Sequence, residues 1–193
     1  MKYLGLDISS SCIGVSCLEV DQNNKIKLLY CDYYKPSKDD IFISLHETRE
    51  YFKNKIEELK PDKIVIEEAL KFFGGKMSSA NTIVKLNIYN YMIGLIAYEY
   101  LNKAPTLLNV NSIRAVLRPS YYPGKLAKED VPKVIEKILD IKFPYVYKKN
   151  GDISEVSLDM ADSVAAGLAQ IYLEIAQNSP KKSKKKQLDK TPI

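Results

Sequence analysis

Three places in the chain put carboxylates where apolar surroundings cannot solvate them. Asp7 ends the run Tyr3-Leu4-Gly5-Leu6, Glu67 and Glu68 end Ile64-Val65-Ile66, and Asp159 and Asp162 lie three apart in Leu158-Asp159-Met160-Ala161-Asp162-Ser163-Val164. An acid beside an apolar core must be paired, hydrogen-bonded or bound to a metal, because burying it bare is expensive. Each place also has an ordinary reading. Asp7 fits a turn cap bonding the backbone of the following serines, Glu67 fits a strand that simply reaches water, and acidic first turns are common in helices. Together, four such acids are too many like charges for one apolar rim. Divalent cations would neutralise them, and an all-oxygen donor set without His or Cys favours Mg²⁺, with Mn²⁺ as a substitute. Two such ions about 4 Å apart can activate a water and stabilise the leaving oxygen of a phosphodiester.

The elements that carry these acids follow from hydrophobic periodicity. Residues 2–7, 13–20 and 26–34 read as successive strands, the last two joined by the turn-rich Asp21-Gln22-Asn23-Asn24. Asp39 or Asp40 caps a long helix whose inner face carries Phe42, Leu45, Phe52, Ile56 and Leu59. Pro61-Asp62 ends it, and Lys63-Ile64-Val65-Ile66-Glu67 follows as a buried strand. After a loop with Phe72-Phe73-Gly74-Gly75-Lys76 comes a helix over Ser78–Asn102, and then a fifth strand over 105–111. A polar segment with Arg114, Arg118 and Lys125 precedes a helix over 130–139, and Ser157 can cap a final helix reaching Gln177. Ala165, Ala166, Gly167 and Ala169 would let that helix sit close to a sheet. A three-stranded meander followed by helix–strand–helix–strand–helices is an α/β sandwich with a mixed sheet. Both strand-borne acids then fall at carboxyl ends, where such sheets place their sites.

The 193 residues suffice for one domain, and the 46% hydrophobic and 27% charged composition is ordinary for a globular chain. The charge is unevenly placed. Residues 179–193 hold six lysines and one aspartate, which accounts for the whole net charge of +5 and leaves 1–178 neutral. Residues 1–178 therefore read as the folded domain and 179–193 as a disordered Lys-rich tail, either a solubility appendage or an arm attracting polyanions. The start Met1-Lys2-Tyr3 lacks a signal segment, and Lys85, Asn87, Asn90 and Glu99 interrupt the most apolar later run. No membrane span is expected. Cys12, Cys17 and Cys31 lack metal-ligand spacing and read as reduced thiols of an intracellular protein. His46 sits among polar neighbours and is given no chemistry.

The blocks Gly5-Leu6-Asp7-Ile8-Ser9 with Gly14, Ile66-Glu67-Glu68, and Asp159-Met160-Ala161-Asp162-Ser163-Val164-Ala165 resemble those of RuvC-type Holliday junction resolvases, in the ribonuclease-H-like superfamily. Their order and spacing cover essentially the whole folded body. The resemblance implies a ribonuclease-H-like three-layer sandwich with a five-stranded mixed sheet. It implies that Asp7, Glu67, Asp159 and Asp162 are metal-binding catalytic carboxylates holding two Mg²⁺, with Glu68 outside the set. The implied activity is paired, symmetric nicking of four-way DNA junctions that leaves 5′-phosphate and 3′-hydroxyl ends.

Ser10 departs from the family by replacing a usual glycine. The family's loop after the second acid carries an aromatic that wedges into the junction. Here Phe72 or Phe73 could do so, or both could pack beneath the loop. Further DNA contacts would come from Lys76, Arg114, Arg118, Lys125 and Lys128, of which Lys128 best matches the lysine before the family's next helix. The Ser78–Asn102 helix is apolar nearly all round and needs cover on two sides. A second subunit in a homodimer supplies it, as does another element of the same chain. The branched-DNA reading places the protein in the cytoplasm or nucleoid, or in a host cell for a viral gene. Competing readings are another ribonuclease-H-like nuclease acting on RNA–DNA hybrid or ribosomal RNA, and a catalytically silent DNA-binding subunit. Sugar-kinase and actin-like ATPases open with a similar strand, but their duplicated domain does not fit in this length.

Overall fold

The computed structural model describes residues 1–68, 80–121 and 126–178. At its centre is a five-stranded sheet built from β1 (Lys2–Ile8), β2 (Ile13–Val20), β3 (Ile26–Tyr34), β4 (Lys63–Glu67) and β5 (Thr106–Leu108), in the order β3-β2-β1-β4-β5. The meander pairs antiparallel, while β1, β4 and β5 run parallel through crossover helices. Helices α1 (Ile41–Leu59) and α2 (Ala80–Leu101) cover one face. The other carries α3 (Val110–Tyr121), α4 (Val131–Leu139) and α5 (Val156–Asn178), with a 3₁₀ turn over Lys128–Asp130 leading into α4. The expected three-layer α/β sandwich is what the chain forms.

Strand alternation divides the core into two. Leu4, Leu6 and Ile8 of β1, Ile13 and Val15 of β2, and Ile64 and Ile66 of β4 pack under α1 and α2. Tyr3, Leu18 and Val65 pack on the α5 side. Each such aliphatic side chain contributes roughly 1.5–3 kcal/mol when fully buried. Asp7 and Glu67 have the parity of Tyr3 and Val65, so the pleat sends both carboxylates to the α5 face.

Several boundaries differ from the sequence reading. The segment with Arg114 and Arg118, read from sequence only as polar, is the helix α3, started by Asn109, whose side chain accepts from Ser112 N at 2.9 Å. Strand β5 is correspondingly cut to Thr106–Leu108. The buried residues of α3, Ile113 and Leu117, are four apart, a spacing that Arg114 between them and Arg118-Pro119 after them obscure. Helix α1 is capped by Asp40, but Phe42 is 77% exposed. The buried stripe steps by four through Ser44, Thr48, Phe52 and Ile56 and leaves Phe42 to one side. Helix α5 begins before Ser157, whose hydroxyl instead bridges the backbone N–H and C=O of Val146. Cys12, Cys17 and Cys31 are free thiols, and burial pushes Cys12 and Cys31 up to about 12. His46 is exposed.

Candidate active site

Parallel pairing sets the first two acids side by side. Leu4 pairs with Ile64 and Leu6 with Ile66, so Asp7 and Glu67 follow on adjacent strands, whose backbones lie about 4.8 Å apart. The turn after Asp7 does not use its carboxylate as a cap. Ser9 fills that role, its Oγ accepting from Cys12 N at 3.0 Å and donating to Cys12 O at 2.7 Å.

Helix α5 brings the other two acids onto the same point. It can do so because glycines in the sheet let it come down onto bare backbone. A Cβ placed on Gly14, the residue paired with Asp7, would run into the carbonyl of Asp159. One placed on Gly5 would run into the carbonyl of Ser163. Gly167 completes the seat, since a Cβ there would crowd Leu18. Small residues therefore stand on both sides of this contact, and only the helix side was anticipated from sequence.

Asp159 lies in the first turn of α5, and Asp162 in the second. The helix N-terminus thus does little for Asp162, because its field fades beyond the first turn. Lys128 supplies the countercharge, its Nζ lying 2.9 Å from Asp159 Oδ1 and 3.2 Å from Asp162 Oδ2.

The four acids feel one another. Asp7 is pushed well above the usual carboxylate range, first by burial and then by the charges of Glu67, Asp162 and Asp159, with Lys128 opposing. Glu67 is pushed up to about 7 by burial and then by Asp162, against Lys128 and Arg114. Asp162 is raised by burial despite Lys128 and Arg114. Lys128 is held charged because Asp162 and Asp159 outweigh its own desolvation. Glu67 Oε2 is buried with no hydrogen-bond partner, and so is Arg114 Nε.

Among the described residues no three acids form a ready-made ligand shell. The Lys128 ammonium stands between two of them. An orphaned carboxylate oxygen, an all-oxygen donor set and an excess of buried negative charge nevertheless fit a hard divalent cation.

Of the anticipated DNA contacts, Lys128 joins the acids and Arg114 acts electrostatically on Glu67 and Asp162. Arg118 is exposed one helical turn beyond Arg114, beside a shallow cavity that both arginines line. Phe72, Phe73, Lys76 and Lys125 lie outside the described residues. Glu68 is bound into the sheet edge through its backbone, which donates to Leu108 O at 2.8 Å. Asn90, not anticipated, donates its side-chain amide to the Glu67 carbonyl at 3.3 Å. A buried asparagine on an otherwise apolar helix face was the available signal.

A meander continued by parallel strands, with acids at the ends of β1 and β4 and a final helix laid on that edge, is the ribonuclease-H-like fold. Solved structures of this kind match nearly the whole chain. RuvC of Thermus thermophilus in complex with a Holliday junction substrate superimposes with a TM-score of 0.69 at 17% identity, covering 91% of this chain and 96% of that one. The yeast mitochondrial Holliday junction resolvase gives 0.61 at 16% identity, over 91% of this chain and 80% of that one. The fowlpox virus resolvase with its Holliday junction DNA gives 0.52 at 17% identity, over 91% and 99%. No protein-family model matches the sequence, and no curated protein sequence does. The chain therefore has the fold of the RuvC-type resolvases.

Proposed function

We propose that the protein is a divalent-metal-dependent endonuclease that cuts four-way DNA junctions. The observation that carries this is the convergence of Asp7, Glu67, Asp159 and Asp162 at the carboxyl edge of β1 and β4, in a fold shared along its length with three junction resolvases. Asp7, Glu67, Asp159 and Asp162 would hold two Mg²⁺. When bound, these ions lower the pKa of a water and stabilise charge on a phosphodiester's leaving oxygen. Asp7 and Glu67 are held by sheet pairing and Asp159 by backbone contact with Gly14, so the donor atoms are fixed in advance. Asn90 steadies the Glu67 backbone. Lys128 pairs with Asp159 and Asp162, and its flexible stem lets the ammonium turn towards a phosphate oxygen. Arg114 and Arg118 share a helix face and offer a planar pair of donors for the backbone of the bound strand.

A symmetric substrate calls for two copies of this site. Val84, Ile88, Tyr91, Leu95 and Tyr98 form an exposed apolar line along α2 that suits a homodimer. No described helix is long and apolar enough to cross a membrane, and reduced thiols with a DNA substrate favour an intracellular site of action. The test is direct. Synthetic four-way junctions, plain duplex and RNA–DNA hybrid are incubated with the protein in Mg²⁺, alongside Asp7→Asn and a chelator control. Paired nicks in the junction alone, lost in both controls, are expected. Cleavage confined to the hybrid would replace junction resolution with a ribonuclease-H activity, and binding without cleavage would leave a silent DNA-binding subunit.

A further inference from the structure

On the opposite side of the β1–β2 turn from the acids lies a second polar cavity, beneath the start of α1. Ser10 of the turn, Ser37 and Lys38 of the β3–α1 connection, and Lys85 of α2 converge on it, with Ser44 and Tyr89 at its base. Two of its hydroxyls are already engaged. Ser44 Oγ lies 2.6 Å from the Tyr89 hydroxyl and donates to Ser37 O at 3.0 Å. Ser37 Oγ is different, being buried with no hydrogen-bond partner. An unmet buried hydroxyl costs about 1–3 kcal/mol, and a rotation of the Ser37 side chain would bring this one to a group bound in the cavity.

The charge around the cavity points to the kind of group. Lys38 and Lys85 are exposed and make no ion pair among the described residues, and one carboxylate, Asp39, stands beside them. Asp40 spends its side chain capping α1 at Phe42 N and does not line the cavity. Two free ammonium groups, serine hydroxyls and a helix amino end together suit an oxyanion with several acceptor oxygens.

We propose that this cavity is a phosphate site. It takes a backbone phosphate of the nucleic-acid strand whose neighbouring phosphate is presented to the acids. The inference rests on the nuclease reading for the source of the phosphate, not for its chemistry. Ser10 lies three positions after Asp7, a span of at most about 11 Å along the backbone. A strand crossing the turn therefore reaches both places within one or two nucleotides. Holding a second phosphate fixes the strand's direction over the acids, which a single contact at the scissile position cannot do.

The test uses the full chain, a Lys38→Ala/Lys85→Ala double variant and Ser37→Ala. Junction affinity is measured without divalent cations over a range of salt. Both lysines are exposed, so thermal unfolding should be unchanged in the double variant. Its affinity should fall about three- to tenfold, with a salt slope shallower by about one. Ser37→Ala should weaken binding without changing the slope. Single methylphosphonates are then walked along the strand around the cleavage position. The wild type should lose affinity at one position within two nucleotides of the cut, and the double variant should lose nothing more there. An equal methylphosphonate penalty in both proteins, or an unchanged slope, would overturn the proposal while leaving the nuclease reading intact. Titration with inorganic phosphate separates the remaining case. Phosphate binding lost in the double variant, in a chain that binds no DNA, would retain the phosphate site but remove the nucleic-acid strand as its source.

Discussion

Two glutamates on the α5 face show how differently this fold treats a carboxylate. Glu174 lies at the amino edge of the sheet, where it accepts from the Tyr3 hydroxyl at 2.8 Å and from Gln170 and pairs with Lys63. Burial would raise it, but those hydrogen bonds outweigh burial and hold it below the usual range. Glu67, at the opposite edge, has one oxygen buried without a partner and is pushed up to about 7. The first arrangement stabilises the fold, whereas the second leaves a buried carboxylate oxygen unsatisfied. Stability should record the difference. Unfolded, Glu67 titrates near its ordinary value of 4.5, so between about pH 4.5 and 7 the folded chain holds a proton that the unfolded chain has released. Without metal, the contribution of Glu67 is therefore full below this window, and the melting temperature should fall as pH rises through it. Asp7 and Asp162, also raised, act in the same direction. If the acids hold Mg²⁺ as proposed, they do so in the ionised form, and the ion should raise the melting temperature at pH 8 far more than at pH 5. Calorimetry at the two pH values with and without Mg²⁺ measures this. A metal-free chain more stable at pH 8 than at pH 5 would mean that the acids are not crowded as described.

At the level of elements, the site depends on how close α5 lies to the sheet. In Gly14→Ala the new methyl would meet the Asp159 carbonyl, so the helix must move outward and carry Asp159 and Asp162 with it. Overpacking of this kind costs about 1–3 kcal/mol. The variant should remain folded, with a lower melting temperature, and bind junction DNA with little change. Cleavage should fall at least a hundredfold, since small misplacements at a reacting centre have effects of that size. Full cleavage by Gly14→Ala would show that the contact does not set the acids. This seat marks the limit of what the sequence displayed. Strands β1, β2, β3 and β4 and helix α5 were legible because their apolar periodicity is long and unbroken, and acids ending such runs stand out. Helix α3 was not, because its stripe of Ile113 and Leu117 is short and flanked by charge. The close approach at Gly14 was hidden as well, because the partner of a strand glycine lies some 145 residues downstream and only the folded chain names it. Lys128 could be matched to a family lysine, but its position between Asp159 and Asp162 is a fact of three dimensions.

For the whole molecule, charge and symmetry govern how the site meets its substrate. The six lysines within 179–193 carry the net charge, and residues 1–178 are neutral. Removing 179–193 should flatten the salt dependence of DNA binding and leave the cleavage position unchanged, because a polycation adds affinity without reading position. An identical salt slope in the truncated chain would make the segment an appendage for solubility. The proposed two-fold pairing rests on α2. Its inner residues Tyr89, Ile93, Ile96 and Ala97 pack on the sheet, whereas Val84, Ile88, Tyr91, Leu95 and Tyr98 face outward along a line. Burial within the chain thus accounts for only one side of this helix among the described residues. Tyr91 is 73% and Leu95 57% exposed, so replacing both with glutamate removes little from the core of a single copy. The double variant Tyr91→Glu/Leu95→Glu should keep its melting transition at low protein concentration, yet sediment as a monomer where the parent sediments as a dimer. Four like charges brought together across a two-fold axis would hold the copies apart. With one active site per particle, junctions should receive single nicks instead of the paired cuts that separate two duplexes. A parent that already sediments as a monomer while cutting junctions in pairs would rule out this helix as the dimer surface.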